Sequence, residues 1–119
     1  MDVRRSAEFW RQLLGLVYRP GHETVSPGED WLNLRTPEGE PVLAFQQVDE
    51  LPASTWPEPG VPQQLHFDLT VESKAELDAA HDRVLALGGT LRYDRSDDPQ
   101  EPLRVYADPA GHPFCIFVA

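Results

Sequence analysis

Apolar residues near the start of the chain recur at helical spacing. Phe9, Leu13 and Leu16, with Trp10, Leu14 and Val17 beside them, mark one face of a helix, and Gly15 sits where a left-handed C-cap is expected. A second helix is better marked. Ser73-Lys74-Ala75-Glu76 has the spacing of a capping box, Leu77, Ala80, Val84 and Leu87 follow on one face, and Gly88-Gly89 closes the run. Elsewhere the period falls to two. Strands are predicted over 16–19, 30–36 and 41–48 after the first helix, and over 90–93, 103–107 and 113–118 after the second. Residues 64–71 add a strand ahead of the second helix, alternating Leu65, Phe67, Leu69 and Val71 against Gln64, His66, Asp68 and Thr70.

The chain answers itself once. Thr36-Pro37-Glu38-Gly39-Glu40-Pro41-Val42-Leu43-Ala44-Phe45 matches Asp108-Pro109-Ala110-Gly111-His112-Pro113-Phe114-Cys115-Ile116-Phe117 in its Pro-x-Gly-x-Pro turn and in the apolar run that follows, at an offset of about 72. Leu13-Leu14-Gly15 and Ala86-Leu87-Gly88 repeat at nearly the same offset. The plan is α+β: two fused βαβββ modules, over 1–50 and 63–119, in one domain of residues 1–119. A module shorter than about 60 residues is marginal alone, which argues for one domain rather than two. The offset places the opening strand of the first module before residue 1, so that module is expected without it. Either the strand is lost or the start is assigned too late. Residues 51–62 hold four prolines and a glycine and read as an extended connector.

Charge and composition narrow the partners. Twenty acidic against ten basic residues give a net charge of −10, which repels nucleic-acid phosphates and anionic lipid. No apolar run approaches the roughly 20 residues that span a membrane. The lone Cys115 excludes an internal disulfide, and the charged first residues do not read as a secretory signal, so a cytoplasmic location is expected. Phosphate loops, nucleophile elbows and paired zinc cysteines are not found.

Three stretches carry a family likeness over nearly the whole chain: Ala7-Glu8-Phe9-Trp10 with Leu13-Leu14-Gly15, Gln64-Leu65-His66-Phe67-Asp68-Leu69 after Trp56-Pro57, and Asp108-Pro109-Ala110-Gly111-His112-Pro113. Their order and spacing resemble the vicinal oxygen chelate superfamily of glyoxalases, bleomycin-resistance proteins and ring-cleaving dioxygenases, and within it the bacterial glyoxalase-like subgroup. The resemblance implies two modules curling a mixed sheet around a cleft, a homodimer, and a small organic molecule as ligand. In metal-dependent members the ligands stand on the opening and closing strands of each module. Carried over, His66 takes the opening-strand position, Cys115 takes the closing-strand position usually held by glutamate, and Leu43 is the counterpart of Cys115. One imidazole and one thiol fall short of the three protein ligands a catalytic site needs, and sulfur leans toward zinc over Mg²⁺ or Mn²⁺. The metal site therefore reads as incomplete, and no cofactor is expected unless a divalent metal binds there.

Two readings stay open. The first is a binding protein whose pocket is lined by Trp31, Phe45, Trp56, His66 and Phe117, with core packing as the competing account of Phe45 and Phe117. The second is a metal-dependent lyase or dioxygenase with His66 as one ligand; no catalytic residue is assigned. His66 shares its strand face with polar residues and is otherwise a structural histidine; Asp68 reads as its neighbour. Cys115, between Phe114 and Ile116, also reads as a small core filler. His112 is read as structural, and His22 and His81 as solvent-facing.

Overall fold

The Asp2 carboxylate accepts a hydrogen bond from the Arg5 amide (2.9 Å), capping a helix, α1, that runs Val3–Leu14. Gly15 ends it in the left-handed region at φ 68°, as expected. The computed structural model describes residues 2–119 and falls into two units that meet in sequence between Leu51 and Pro52. The connector from Pro52 onward thus belongs with the second unit, and Leu51 with the first.

In the first unit α1 is followed by β1 (Val17–Tyr18), β2 (Trp31–Arg35) and β3 (Pro41–Gln46), an antiparallel sheet in the order β1-β2-β3. Leu32 and Leu34, 2 % and 0 % exposed, form the buried face of β2, and Leu32 clusters with Val3 and Ala7 of α1. The second unit holds β4 (Phe67–Val71), α2 (Lys74–Ala86), β5 (Thr90–Arg95), β6 (Leu103–Ala107) and β7 (Pro113–Val118). Its sheet is mixed, in the order β4-β7-β6-β5, with β4 parallel to β7. The Ser73 hydroxyl accepts from the Glu76 amide (3.1 Å) and caps α2, whose Leu77 and Val84 are fully buried. This is the α+β plan of strand, helix and three strands; among the described residues the first unit opens with its helix.

The repeated turns are built alike. Thr36 and Asp108 each accept an amide from the turn glycine, Gly39 or Gly111, and each donates its own amide to the carbonyl of the residue after that glycine. Their side chains also do the same work: Thr36 Oγ1 accepts from the Glu40 amide (3.0 Å) and Asp108 Oδ1 from the His112 amide (2.9 Å). Both glycines have positive φ, and at Gly111 a β-carbon would in addition overlap Ala53, so only the second turn is pinned by a neighbour.

One register difference separates the copies. In the first unit Leu34 pairs Leu43 and Arg35 pairs Pro41, so a bulge leaves Val42 as an extra residue; in the second, Tyr106 pairs Phe114 and Ala107 pairs Pro113 without interruption. Beyond the bulge the copies align one residue off the sequence match. Asn33 pairs Ala44 where Val105 pairs Cys115, so the structural counterpart of Cys115 is Ala44, not Leu43. By the same shift Phe45 corresponds to Ile116, and Phe45 and Phe117 lie on opposite faces of their sheets.

The expected extended connector is corrected as well. Thr55 folds it back on itself: its amide donates to the Val61 carbonyl (2.9 Å), its hydroxyl accepts from the Val61 amide (2.9 Å), and its carbonyl accepts from the Glu58 amide (2.9 Å). Four prolines leave few amides in this stretch, and one threonine satisfies much of what remains.

Candidate functional site

Two contacts set the faces of the second sheet. Arg104 donates to the Leu77 carbonyl of α2 (3.4 Å) and Tyr106 bonds His81 of α2, so both residues face the helix. Alternation then puts Val105 on the other face, with its partner Cys115 and, across from Cys115 on β4, Asp68. Phe117 shares this face, two positions along β7 from Cys115.

His66 lies one residue ahead of β4, which begins at Phe67 rather than at Gln64. Its imidazole is held on three sides. Nδ1 stands 2.7 Å from Gln63 Oε1, Nε2 stands 3.2 Å from Asp68 Oδ1, and the Trp56 ring stacks on it at 4.8 Å between centroids and 17° between planes. Trp56 is placed by the folded connector, where its amide donates to Ser54 Oγ (3.1 Å). Each ring nitrogen thus faces a side-chain oxygen.

Cys115 completes the group. One ligand atom from each of His66, Asp68 and Cys115 lies within 4.8 Å of the others. The thiol is buried, and burial pushes its pKa up to about 11, with the Asp68 carboxylate adding to the rise. An adjacent cation would act in the opposite sense and favour the thiolate. Nitrogen, oxygen and sulfur donors so close together suit a borderline-soft ion such as zinc better than a hard, oxygen-seeking one.

The structure therefore brings together Trp56, His66 and Cys115 of the expected residues, and Phe117 shares their sheet face. Asp68, read from sequence as a mere neighbour, is the third donor, because side chains two apart on one strand face can meet at their tips. Gln63 was also missed; nothing in its sequence context sets it apart. Trp31 and Phe45 belong to the first unit. Trp31 is 48 % exposed beside a cavity of about 300 Å³ that Arg4, His22, Glu29 and Asp30 help to line. Phe45 packs on the Val3, Ala7 and Leu32 cluster. His81 is not solvent-facing as expected: its Nδ1 lies 2.9 Å from the hydroxyl of the fully buried Tyr106. His22 is half-buried and its Nδ1 accepts the Asn33 amide (3.1 Å), while His112 is exposed and contributes its backbone to the turn.

The glyoxalase-like domain family matches residues 1–117. Solved structures agree in fold. A glyoxalase/bleomycin resistance protein/dioxygenase family enzyme from Burkholderia phytofirmans is similar at a TM-score of 0.66 and 18 % identity, covering 98 % of this chain and 90 % of that one. A glyoxalase-related enzyme from Fulvimarina pelagi is similar at 0.63 and 21 %, covering 99 % and 81 %. The fosfomycin resistance protein FosX from Mesorhizobium loti is similar at 0.65 and 15 %, covering 99 % and 83 %. No curated protein sequence matches the chain.

Proposed function

The chain belongs to the glyoxalase-like domain family of the vicinal oxygen chelate superfamily, and from that membership we propose that it binds a small organic molecule beside Trp56 and His66 of its second unit. The observation that carries this reading is the stacked Trp56–His66 pair, half-buried and held in place by Gln63, Asp68 and the Ser54–Val61 loop. A preset aromatic surface next to oriented polar atoms is the usual make-up of a small-molecule site. Trp56 supplies stacking area, His66 and Asp68 fix polar groups of the ligand, and Phe117 adds apolar wall on the same sheet face.

Screening of small organic molecules by tryptophan fluorescence in a Trp31→Phe background tests it. Binders are expected to quench saturably, to lose the signal in Trp56→Leu, and to bind about tenfold more weakly in His66→Ala. Binders indifferent to both substitutions would overturn the assignment.

The donor cluster favours a second reading, in which His66, Asp68 and Cys115 hold a zinc-like ion. Gln63 would then anchor the outer ring nitrogen, as outer partners of metal-bound histidine do. Such an ion supplies Lewis-acid polarisation to a substrate with neighbouring oxygens, the chemistry of a lyase or dioxygenase. Elemental analysis after dialysis against zinc is expected to find near-stoichiometric metal in the wild type and little in His66→Ala or Cys115→Ser. Metal retained in both variants, or absent from the wild type, would remove this reading and leave the first untouched.

A further inference from the structure

The loop between β1 and β2 encloses a cavity that the Trp56–His66 site does not use. It holds about 300 Å³ and lies at the loop end of the first unit, where Arg4 in the first turn of α1 and Leu32, on the helix-facing side of β2, meet the chain between Gly21 and Asp30. Glutamates shape this loop. Glu23 accepts the Gly21 amide (2.7 Å), and Glu29 accepts the Ser26 amide (3.2 Å) as well as the Arg4 guanidinium (2.8 and 2.7 Å). Arg4 donates further to the Thr24 carbonyl (3.4 Å), so the loop is tied to α1 and its ion pair is already closed.

The loop's smaller polar side chains are thereby left unengaged. In other turns Thr36, Thr55, Asp98 and Asp108 each give a side-chain oxygen to a backbone amide. Among the described residues, the Thr24 and Ser26 hydroxyls and the Asp30 carboxylate hold no such bond, and all three line the cavity. His22 adds an oriented donor to the same wall. Its Nδ1 accepts the Asn33 amide (3.1 Å), so the ring proton sits on Nε2, which has no hydrogen-bond partner among the described residues. Trp31, 48 % exposed, contributes aromatic surface.

These groups select a ligand class. A cavity of this volume has room for about ten waters, and a ring of similar bulk displaces them without loss only where its own hydroxyls replace their hydrogen bonds. Asp30 disfavours an anion, the Arg4 guanidinium and the His22 N–H disfavour a cation, and an apolar ring would leave the polar wall without partners. We propose that the cavity binds a neutral pyranose sugar. Asp30 accepts from neighbouring hydroxyls of the ring, His22 Nε2 donates to a further one, and Thr24 and Ser26 serve as donor or acceptor. The C–H face of the sugar lies on Trp31, whose negative ring face attracts it. The site rests on residues of the first unit and is independent of the reading of Trp56 and His66.

The test is a titration of the full ¹⁵N-labelled chain with the methyl α- and β-pyranosides of glucose, galactose and mannose, followed at the Gly21, Thr24 and Ser26 amide signals and the Trp31 indole. Cyclohexanol and glucuronate are the apolar and anionic controls. At least one pyranoside is expected to shift these signals saturably, with a dissociation constant on the order of millimolar. Asp30→Ala and Trp31→Leu, both at exposed positions outside the Arg4–Glu29 pair, are each expected to weaken binding about tenfold. The Arg4 Nε–H signal, held by Glu29, reports that the loop keeps its fold in both variants. Saturation by none of the pyranosides would overturn the proposal. So would equally tight binding of cyclohexanol or glucuronate, or undiminished affinity in either variant.

Discussion

The two units cover the helix-facing side of their sheets with different chemistry. Leu32 and Leu34 of β2 occupy the positions that Arg104 and Tyr106 occupy on β6, as the pairings with Phe45 and Leu43 and with Ile116 and Phe114 establish. In the first unit the contact is apolar: Leu32 closes on Val3 and Ala7. In the second, Arg104 is a clamp that donates to Asp78 (3.0 Å), Asp94 (3.2 Å), Ser96 Oγ (3.2 Å) and the Leu77 carbonyl, while Tyr106 meets His81. One scaffold thus tolerates either solution, provided that every buried polar group finds its partners.

Exchanging the residues breaks the comparison at its strongest point. Leu32→Arg would bury a guanidinium with no carboxylate built to meet it, and is expected to cost more than about 4 kcal/mol or to prevent folding. Arg104→Leu should be far milder, within about 1 kcal/mol, because Asp78 and Asp94 are about half exposed and can return to water. Urea unfolding of both variants measures the difference, and equal losses would refute the account of Arg104 as a satisfied clamp.

Acid sharpens the same contrast. The Ser96 hydroxyl and amide, with Arg104 behind them, hold Asp94 at about 2 against an ordinary 3.8. A depressed carboxylate contributes fully above its ordinary value and loses that contribution as pH falls toward the folded one. Between about pH 4 and pH 2 the wild type should therefore lose somewhat more stability than Arg104→Leu, in which only the Ser96 bonds remain. The difference is expected to be small, since Asp94 is well solvated.

Much of this architecture is written in periodicity. The capping box, the helix-closing glycines and all seven strands are legible because each depends on neighbours close in sequence. The functional groups are less so. Asp68 could be seen to share a face with His66, but not that their side chains meet, and Gln63 reaches His66 from irregular chain where no period applies. Asp30 and Asp108 look alike as letters; only the three-dimensional inventory of amides separates the carboxylate that holds a turn from the one left facing a cavity. The compact connector was hidden because proline content reports the lack of amides, not how Thr55 uses those that remain.

Aligning the repeat by sequence paired Leu43 with Cys115 because the shared turn dominates the match, and the bulge after it has no residue signature. If Val42 is the spare residue, 45 % exposed and outside the pairing, its deletion should close the bulge and leave Leu43 opposite Leu34 and Phe45 opposite Leu32. The first unit would then have the uninterrupted register of the second, at a cost expected to stay within about 1 kcal/mol. Deleting Ala44 instead removes a paired residue and must turn either Leu43 or Phe45 away from α1, with an expected loss of about 2–3 kcal/mol. Urea midpoints for the two deletions decide the matter. If removing Val42 proves as damaging as removing Ala44, the bulge is a structural requirement of the first unit rather than an insertion into a common plan.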